Sequence, residues 1–216
     1  MDILERILLI ILIFVAFALS HSILVSNRAK RYAIKHFGEG IIRGFYRFTF
    51  TIISVVSIAI AMYFIKGLPD SDVMRLPLLI KIGFFALQFI GIIFIILPFK
   101  HIDIMEFIGF KQLFKYIKTG KVNGDVEGIS TYKLITTGIY GIVRHPLYTG
   151  SILVITFNTN ITVNLFVFAV LCDVYFIIGT FIEEKRLQKY YGNEYTNYMK
   201  KVPRFIPAHL PKGQTG

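Results

Sequence analysis

The sequence is poor in cysteine and in acidic residues. Its single cysteine, Cys172, excludes an internal disulfide and lies inside an apolar run, where we expect a packed thiol. Only 13 Asp and Glu stand against 24 Lys and Arg, so the formal net charge is +11. The basic residues lie in the gaps between apolar runs and not along one soluble domain, which argues against a nucleic acid partner. The expected partners of these charges are anionic lipid headgroups.

Two further absences limit the classes of function that the chain can have. The sequence has no glycine-rich strand-turn-helix fingerprint, which excludes a soluble nucleotide-binding domain of that class. We expect no metal site. The first apolar run is followed by Arg28, Lys30 and Arg31 and not by a short polar cleavage region, so we do not expect it to be a cleaved signal peptide.

Long apolar runs dominate the composition. The chain has 216 residues, is 55% hydrophobic and has a mean hydropathy of +0.63, which is more apolar surface than a water-soluble fold can bury. We therefore predict an all-α, polytopic integral membrane protein with about five transmembrane helices. The predicted spans are Ile7 to Val25, Phe48 to Ile65, Leu78 to Leu97, Leu147 to Phe157 and Val163 to Ile182.

Positive charge predicts the orientation. Most Lys and Arg fall in residues 27–47, in residues 100–144 and in the tail from Lys185, which share one face if every run crosses the bilayer. Because positive residues favour the cytoplasm, we predict an N-terminus outside and a C-terminus inside, in a prokaryotic cytoplasmic membrane. The predicted parts are three helices in 1–100, a cytoplasmic connector in 101–146, and a hairpin with a cytoplasmic tail in 147–216.

The fourth run is short and begins beside a polar motif. Leu147 to Phe157 covers about 17 Å, against a hydrocarbon core of about 30 Å, so its helix must start earlier or form a tight hairpin with the next run. Pro146 suits a first helical position, which needs no amide donor. Arg144 and His145 would then stand at the positive end of a helix dipole, a place suited to an anion.

Two carboxylates follow the last span. Glu183 and Glu184 are predicted to leave the membrane at the end of their helix, where acids oppose the helix dipole and so favour a functional role. Together with Arg144 and His145 they would form one pocket with a cationic and an anionic wall. Such a pocket suits a zwitterion that carries an additional positive charge.

The C-terminal third has a recognisable pattern. Its motifs are GxYxxxRHPxYxG at Gly138, EExxL at Glu183, YGxxYxxY at Tyr191 and VPRxxP at Val202. In these motifs the chain resembles the isoprenylcysteine carboxyl methyltransferases and the phospholipid N-methyltransferases of membranes, over about residues 132–207. Upstream, HSxLxS from His21 and the run from Ile102 to Gln112 are more similar to the NnrU-type branch, which includes methanethiol S-methyltransferases.

The resemblance implies S-adenosyl-L-methionine as the methyl donor, bound in a cytoplasmic pocket made by the last two helices and the tail. The implied cofactor-binding residues are Lys133, Leu134, Ile135, Tyr140, Arg144, His145, Pro146, Leu147, Tyr148, Glu183 and Glu184. Aromatic faces and carboxylates attract a sulfonium. Arg144 or His145 could pair with the methionine carboxylate.

One departure bears on the acceptor. The prenylcysteine enzymes carry an arginine shortly before their acidic cluster, where this chain has Gly179 and Thr180. This difference favours a small thiol acceptor over a prenylcysteine carboxylate. A thiol of pKa near 8.5 needs only modest help to ionise, and His101, His145 and Tyr148 are the candidate catalytic residues, with Gln112 as a further orienting group.

Several alternatives stay open. A phospholipid amine is the next acceptor, and a lipid or prenylcysteine acceptor is compatible with the resemblance. Outside the transferases, the sequence is also compatible with a non-enzymatic NnrU-type membrane factor in nitrogen-oxide metabolism or with an NADPH-dependent sterol-type reductase. The oligomeric state is not predicted. The four tyrosines that follow Lys189 are read as an interfacial aromatic belt: Tyr190, Tyr191, Tyr195 and Tyr198.

Overall fold

The computed structural model describes residues 1–125 and 133–207, and most of them are helical. Four helices in these residues are long and apolar enough to cross a membrane, namely Ile3–Val25, Glu39–Gly67, Leu78–Lys100 and Val163–Tyr191. Their outward side chains are apolar and exposed, as a lipid solvent requires. The chain is therefore an all-α integral membrane protein. The fold divides into two compact units, Met1–Pro69 with Ile102–Tyr132, and Asp70–His101 with Lys133–Gly216.

The first unit is built on two long helices. Asp2 caps its first helix through a capping box with Glu5, and the Tyr46 hydroxyl donates to the Leu24 carbonyl, which ties the long helices together. Arg47 donates to the Phe107 carbonyl at 2.6 Å and so holds the segment that follows residue 102. The elements of this unit are α1 (Ile3–Val25), α2 (Asn27–Phe37), α3 (Glu39–Gly67), α5 (Ile104–Phe107) and α6 (Phe110–Thr119).

The basic segment 27–47 is almost entirely helical. Ser26 caps α2, whose basic residues recur at helical spacing, and only Gly38, with φ of 83°, separates α2 from α3. Helix α3 then begins at Glu39, nine positions before the predicted start at Phe48. Hydropathy misses these turns because they are helical but polar, and an ion pair between Arg43 and Glu39 at 2.7 Å supports the first turn.

The second unit contains the sequence motifs of the C-terminal third. Its elements are β1 (Asp72–Met74), α4 (Leu78–Ile96), a 3₁₀ turn (Leu97–Lys100), a second 3₁₀ turn (Gly138–Gly141), α7 (Pro146–Thr156), β2 (Ile161–Thr162), α8 (Val163–Tyr191) and α9 (Asn193–Lys201). Strands β1 and β2 pair antiparallel and join the starts of α4 and α8 at one end of the unit. Pro146 is the first residue of α7, as predicted.

The short helix α7 packs closely against α4. Gly91 and Gly150 face one another, and a Cβ built on Gly91 would lie 2.8 Å from the Gly150 carbonyl oxygen. Gln88 adds a hydrogen bond of 3.1 Å to the Val154 carbonyl. Small residues at such a crossing let two backbones approach, which is a common means of helix association in membranes. Helix α7, which has only 11 residues, is thereby held against the longer helix α4.

Two predictions about the C-terminal region are wrong. Helix α8 does not end at Glu183 but continues to Tyr191, so the acidic pair lies within the helix and the helix-dipole argument does not apply. Tyr195 and Tyr198 are 1% and 7% exposed and form a core with Val202, so they are not an aromatic belt. The helical period beyond residue 182 was hidden by its charged residues.

Candidate functional site

The backbone of the motif before α7 pairs with the C-terminal segment that follows α9. The Arg144 amide donates to the Pro203 carbonyl at 2.9 Å, and the His145 amide donates to the Arg204 carbonyl at 3.2 Å. The Thr149 hydroxyl extends this pairing to the Phe205 carbonyl. The two proline-containing motifs are thus one structural element, although they lie far apart in the sequence.

Glu184 is the centre of a buried ionic cluster. Its Oε1 accepts hydrogen bonds from Arg144 Nε at 2.9 Å, from Arg144 Nη2 at 2.7 Å and from Arg204 Nε at 3.1 Å. Its Oε2 accepts from Arg204 Nη2 at 2.5 Å. His145 Nε2 lies 3.2 Å from Oε1. We call Arg144, His145, Glu184 and Arg204 the Glu184 cluster.

Every guanidinium nitrogen of Arg144 donates a hydrogen bond within the protein. Besides the two bonds to Glu184, its Nη1 donates to the Met199 and Val202 carbonyls. The Arg144 side chain is 7% exposed and that of Glu184 is 4% exposed. A buried ion pair needs such complete hydrogen bonding to offset the loss of hydration. The geometry therefore favours a structural role for Arg144 over the predicted contact with a methionine carboxylate.

Glu183 has a different environment from its neighbour. Its side chain is 34% exposed, and its Oε2 lies 3.8 Å from His145 Nδ1. It also interacts with the Tyr148 hydroxyl, and its charge acts on Tyr140. Burial, with a smaller contribution from Glu183, raises the pKa of Tyr140 to about 12, so this phenol stays neutral. One accessible carboxylate is thus surrounded by two phenol rings and an imidazole.

The environment of His145 favours its uncharged form. Burial lowers the pKa of its imidazole, and the neighbouring Glu183 and Glu184 oppose this effect only in part. A neutral ring that donates Nε2–H to Glu184 keeps Nδ1 as an acceptor on the side of Glu183. The His145 ring also contacts Tyr148 and Phe205, with ring centroids 5.7 and 6.2 Å apart.

His101 approaches the same motif from the end of the 3₁₀ turn after α4. Its ring centroid lies 6.4 Å from that of Tyr140. Its Nε2 lies only 2.5 Å from the position of a Cβ at Gly138, whose φ of 62° also favours glycine. His101 is therefore placed against Tyr140, whereas His145 is placed against Glu183 and Tyr148.

The remaining predicted residues are placed as follows. Lys133 is exposed, Ile135 is half-buried, and Leu134 packs against the core of Tyr195 and Tyr198. Leu147 lies half-buried in the first turn of α7 beside the buried Pro146. Gln112 lies in the first unit, where its side chain donates to the Glu106 carbonyl at 2.9 Å. Tyr132, where the predicted catalytic core begins, falls outside the described residues.

Sequence reasoning missed Arg204 and Phe181 as members of this region. Arg204 holds both oxygens of Glu184, and its guanidinium lies 3.9 Å from the centroid of the Phe181 ring. The VPRxxP motif contained the signal, because an arginine between two prolines in a tail is not explained by helix formation. An ion-pair partner of Arg204 could have been inferred from the adjacent carboxylates Glu183 and Glu184.

Comparison with known proteins gives a consistent picture. The phospholipid methyltransferase family matches residues 87–194, which is half of the chain. The chain is 30% identical to a methanethiol S-methyltransferase of Crocosphaera subtropica over 127 residues, 59% of this chain and 47% of that protein. It is 35% identical to a methanethiol S-methyltransferase of Pseudomonas deceptionensis over 104 residues, 48% of this chain and 37% of that protein.

A third relative comes from the prenylcysteine enzymes. The chain is 32% identical to protein-S-isoprenylcysteine O-methyltransferase B of Arabidopsis thaliana over 80 residues, 35% of this chain and 40% of that protein. The matched part covers less than half of the length of each of these three relatives. No solved structure matches the chain.

Proposed function

Because the chain belongs to the phospholipid methyltransferase family, we propose that it is a membrane methyltransferase that takes its methyl group from S-adenosyl-L-methionine and transfers it to a small thiol. One observation carries the proposal: Glu183 is an accessible carboxylate next to His145, Tyr148 and Tyr140, while the adjacent Glu184 is buried and fully paired. We place the catalytic core in about residues 132–207.

The residues around Glu183 fit the chemistry of this donor. The cofactor, when bound, supplies an electrophilic methyl group on a positively charged sulfur. A carboxylate together with aromatic faces attracts such a cation. Tyr140 and Tyr148 provide the faces, and their neutral phenols add no competing charge. The backbone of Lys133, Leu134 and Ile135 and the first turn of α7, with Pro146 and Leu147, complete the proposed pocket.

The Glu184 cluster has the role of fixing this pocket. Arg144 and Arg204 hold Glu184 from the start of α7 and from the C-terminal segment, so they determine where Glu183 points. His145 is oriented by the same oxygen of Glu184. We propose that Arg144 and Glu184 are positioning residues and that Glu183, Tyr140, Tyr148 and His145 contact the reactants.

Methyl transfer requires an in-line arrangement and the exclusion of water more than strong acid-base chemistry. We propose that His145 Nδ1 accepts the proton of the thiol, because Nε2 is committed to Glu184. A thiol with a pKa near 8.5 loses its proton with modest assistance. His101, beside Tyr140, is the second candidate for this step.

A thiol is favoured over the other acceptors on two grounds. The chain has Gly179 and Thr180 at the place where the prenylcysteine enzymes carry an arginine, and Thr180 is completely buried and donates to the Ile177 carbonyl. The relatives from Crocosphaera and Pseudomonas are named for methanethiol. A phospholipid amine is the second candidate, which the description of the matched family favours.

We further propose that the pocket faces the cytoplasm of a prokaryotic cell, with the N-terminus outside. The basic residues of 27–47, of 100–144 and of the C-terminal segment support this orientation. The proposed partners of the chain are then S-adenosylmethionine, membrane lipid, and a thiol or lipid acceptor.

The proposal is tested by methyl transfer from radiolabelled S-adenosylmethionine with detergent-purified protein. Methanethiol, phosphatidylethanolamine and a prenylcysteine are offered as separate acceptors. We expect label in the methylated thiol, at least about tenfold less of it with Glu183→Gln, and an unchanged rate with Glu194→Gln, an exposed acid of α9. Label in the phospholipid alone would replace the thiol by the amine acceptor. Failure of the wild-type protein to bind the donor would contradict the proposal and favour a reductase or a non-enzymatic factor.

A further inference from the structure

Helix α6 of the first unit carries three distinct stripes. A helix turns about 100° per residue, so residues three and four positions apart share a face. Gln112 and Tyr116 form one stripe. Phe110, Phe114 and Ile117 form a second, and Lys111, Lys115 and Lys118 form a third. The proposed methyl transfer uses none of these stripes.

The first stripe is buried against α3. Gln112 is 2% exposed, and Tyr116 lies so close to Gly44 that a Cβ on that glycine would be 2.6 Å from the Tyr116 Cβ. The Tyr116 ring also packs edge to face on Phe45, with centroids 5.5 Å apart. Because α3 is one of the long apolar helices, this contact fixes the rotation of α6 about its own axis next to a membrane span.

The second stripe faces outward and is apolar. Phe114 and Ile117 are 64% and 66% exposed, and Phe110 is 36% exposed. Phe110 and Phe114 stack with ring centroids 6.0 Å apart, so they form a continuous surface. Helix α6 has only ten residues and cannot span a bilayer, yet this surface is unsuited to water.

The third stripe is basic and lies roughly 100° around the helix from the apolar stripe. All three lysines are exposed. Lys111 pairs with Asp103 at 2.9 Å, whereas within residues 1–125 and 133–207 no ion pair engages Lys115 or Lys118. The charges of Lys115 and Lys118 are therefore available to an anion. If the apolar stripe enters lipid, that anion lies at the membrane interface.

We infer that α6 lies in the plane of the membrane interface and that Lys115 and Lys118 bind the headgroups of anionic phospholipids. An apolar face beside a basic face on a short helix is the pattern of an interfacial helix. The partner is a lipid of negative charge, since Lys115 and Lys118 are exposed cations and the Asp103 carboxylate pairs with Lys111 of this helix. This surface is separate from the proposed catalytic function and holds whatever the acceptor is.

The absence of tryptophan from the chain makes a direct test available. Phe114→Trp introduces a single fluorophore on the apolar stripe. The variant is reconstituted in phosphatidylcholine vesicles that contain brominated phosphatidylglycerol or brominated phosphatidylcholine, whose bromines lie near the headgroup and quench on contact. We expect phosphatidylglycerol to quench at a mole fraction at least about fivefold lower, because a single lysine at an anionic surface provides about that preference and two lysines should exceed it.

The controls separate binding of headgroups from general charge. In the Phe114→Trp background, Lys115→Gln with Lys118→Gln should reduce the preference to near one, and Lys115→Arg with Lys118→Arg should retain it. Lys200→Gln with Lys201→Gln removes the same charge from α9 and should leave the preference unchanged. Equal quenching by both lipids in the parent variant would overturn the headgroup assignment. Quenching by aqueous iodide and not by either lipid would overturn the interfacial placement of α6.

Discussion

Arg144 donates two hydrogen bonds to one oxygen of Glu184, from Nε at 2.9 Å and from Nη2 at 2.7 Å. The two residues are 40 positions apart, so this contact fixes the start of α7 against α8. It also gives two adjacent carboxylates different environments. The Glu184 side chain is 4% exposed and paired with Arg144, whereas the Glu183 side chain is 34% exposed.

Glu184→Gln is expected to destabilise the protein strongly. Within the described residues, the substitution removes the only negative charge that contacts the guanidiniums of both Arg144, which is buried, and Arg204, which is partly exposed. An uncompensated buried charge, here that of Arg144, costs about 3–5 kcal/mol. For a chain of this size, we expect the melting temperature in detergent to fall by roughly 10 °C. Glu183→Gln is the matched control and should change it by less than about 2 °C, since Glu183 is partly exposed. Equal shifts for the two variants would contradict this division of roles.

His145 is expected to make stability depend on pH in the mildly acidic range. Burial lowers the pKa of the folded imidazole below its unfolded value of about 6.5, so the unfolded chain binds the proton more readily. Stability from this group is therefore unaffected above about pH 6.5 and decreases as the pH falls from there towards the folded pKa. Melting temperatures between pH 5 and 8 measure this, with His145→Gln as the reference. A wild-type and variant profile of the same slope would refute it.

Gly91→Ala is expected to disturb the crossing of α4 and α7. The added Cβ would lie 2.8 Å from the Gly150 carbonyl oxygen and 2.9 Å from the Leu153 Cβ, and neither atom is the end of a flexible side chain. We expect a loss of about 1–3 kcal/mol in reversible unfolding. Gly83→Ala on the same helix has nothing within 4 Å and should be neutral or slightly stabilising. Equal stability of the two variants would show that this crossing is not tight.

Gly44→Ala is expected to displace α6 from α3. Its Cβ would meet both Cβ and Cγ of Tyr116 at 2.6 Å, whereas a Cβ on Gly40 would lie 3.7 Å from the end of the same ring. Limited proteolysis after α6 and thermal unfolding should therefore reveal a change in Gly44→Ala and little change in Gly40→Ala. If Gly40→Ala had the larger effect, the packing of Tyr116 on Gly44 would be wrong.

The membrane character of the fold follows from hydropathy, and so do α4 and the start of α8. Hydropathy fails where a helix leaves the apolar region, because the segments before Phe48 and after Glu184 are charged yet helical. The position of Pro146 was predicted correctly because proline is favoured at the first position of a helix, and this preference depends only on local geometry.

The sequence motifs predict which residues lie in the candidate site, but not which of these residues pair with one another. The motifs name Arg144, His145, Glu183 and Glu184, and the structure brings them together. Which carboxylate is buried depends on the rotation of α8 and on Arg204, a residue of the C-terminal segment. Helix rotation results from packing across the whole unit, and a sequence motif does not contain that information.

In the proposed function, Glu183 faces the positive sulfur of the methyl donor. This arrangement is tested by the affinity of detergent-purified protein for S-adenosylmethionine and for its demethylated product, which lacks that charge, in the wild type and in Glu183→Gln. The prediction is that the variant weakens binding of S-adenosylmethionine by about tenfold more than binding of the product, which corresponds to about 1.4 kcal/mol. Equal weakening of both ligands, or no weakening of either in a folded variant, would contradict it.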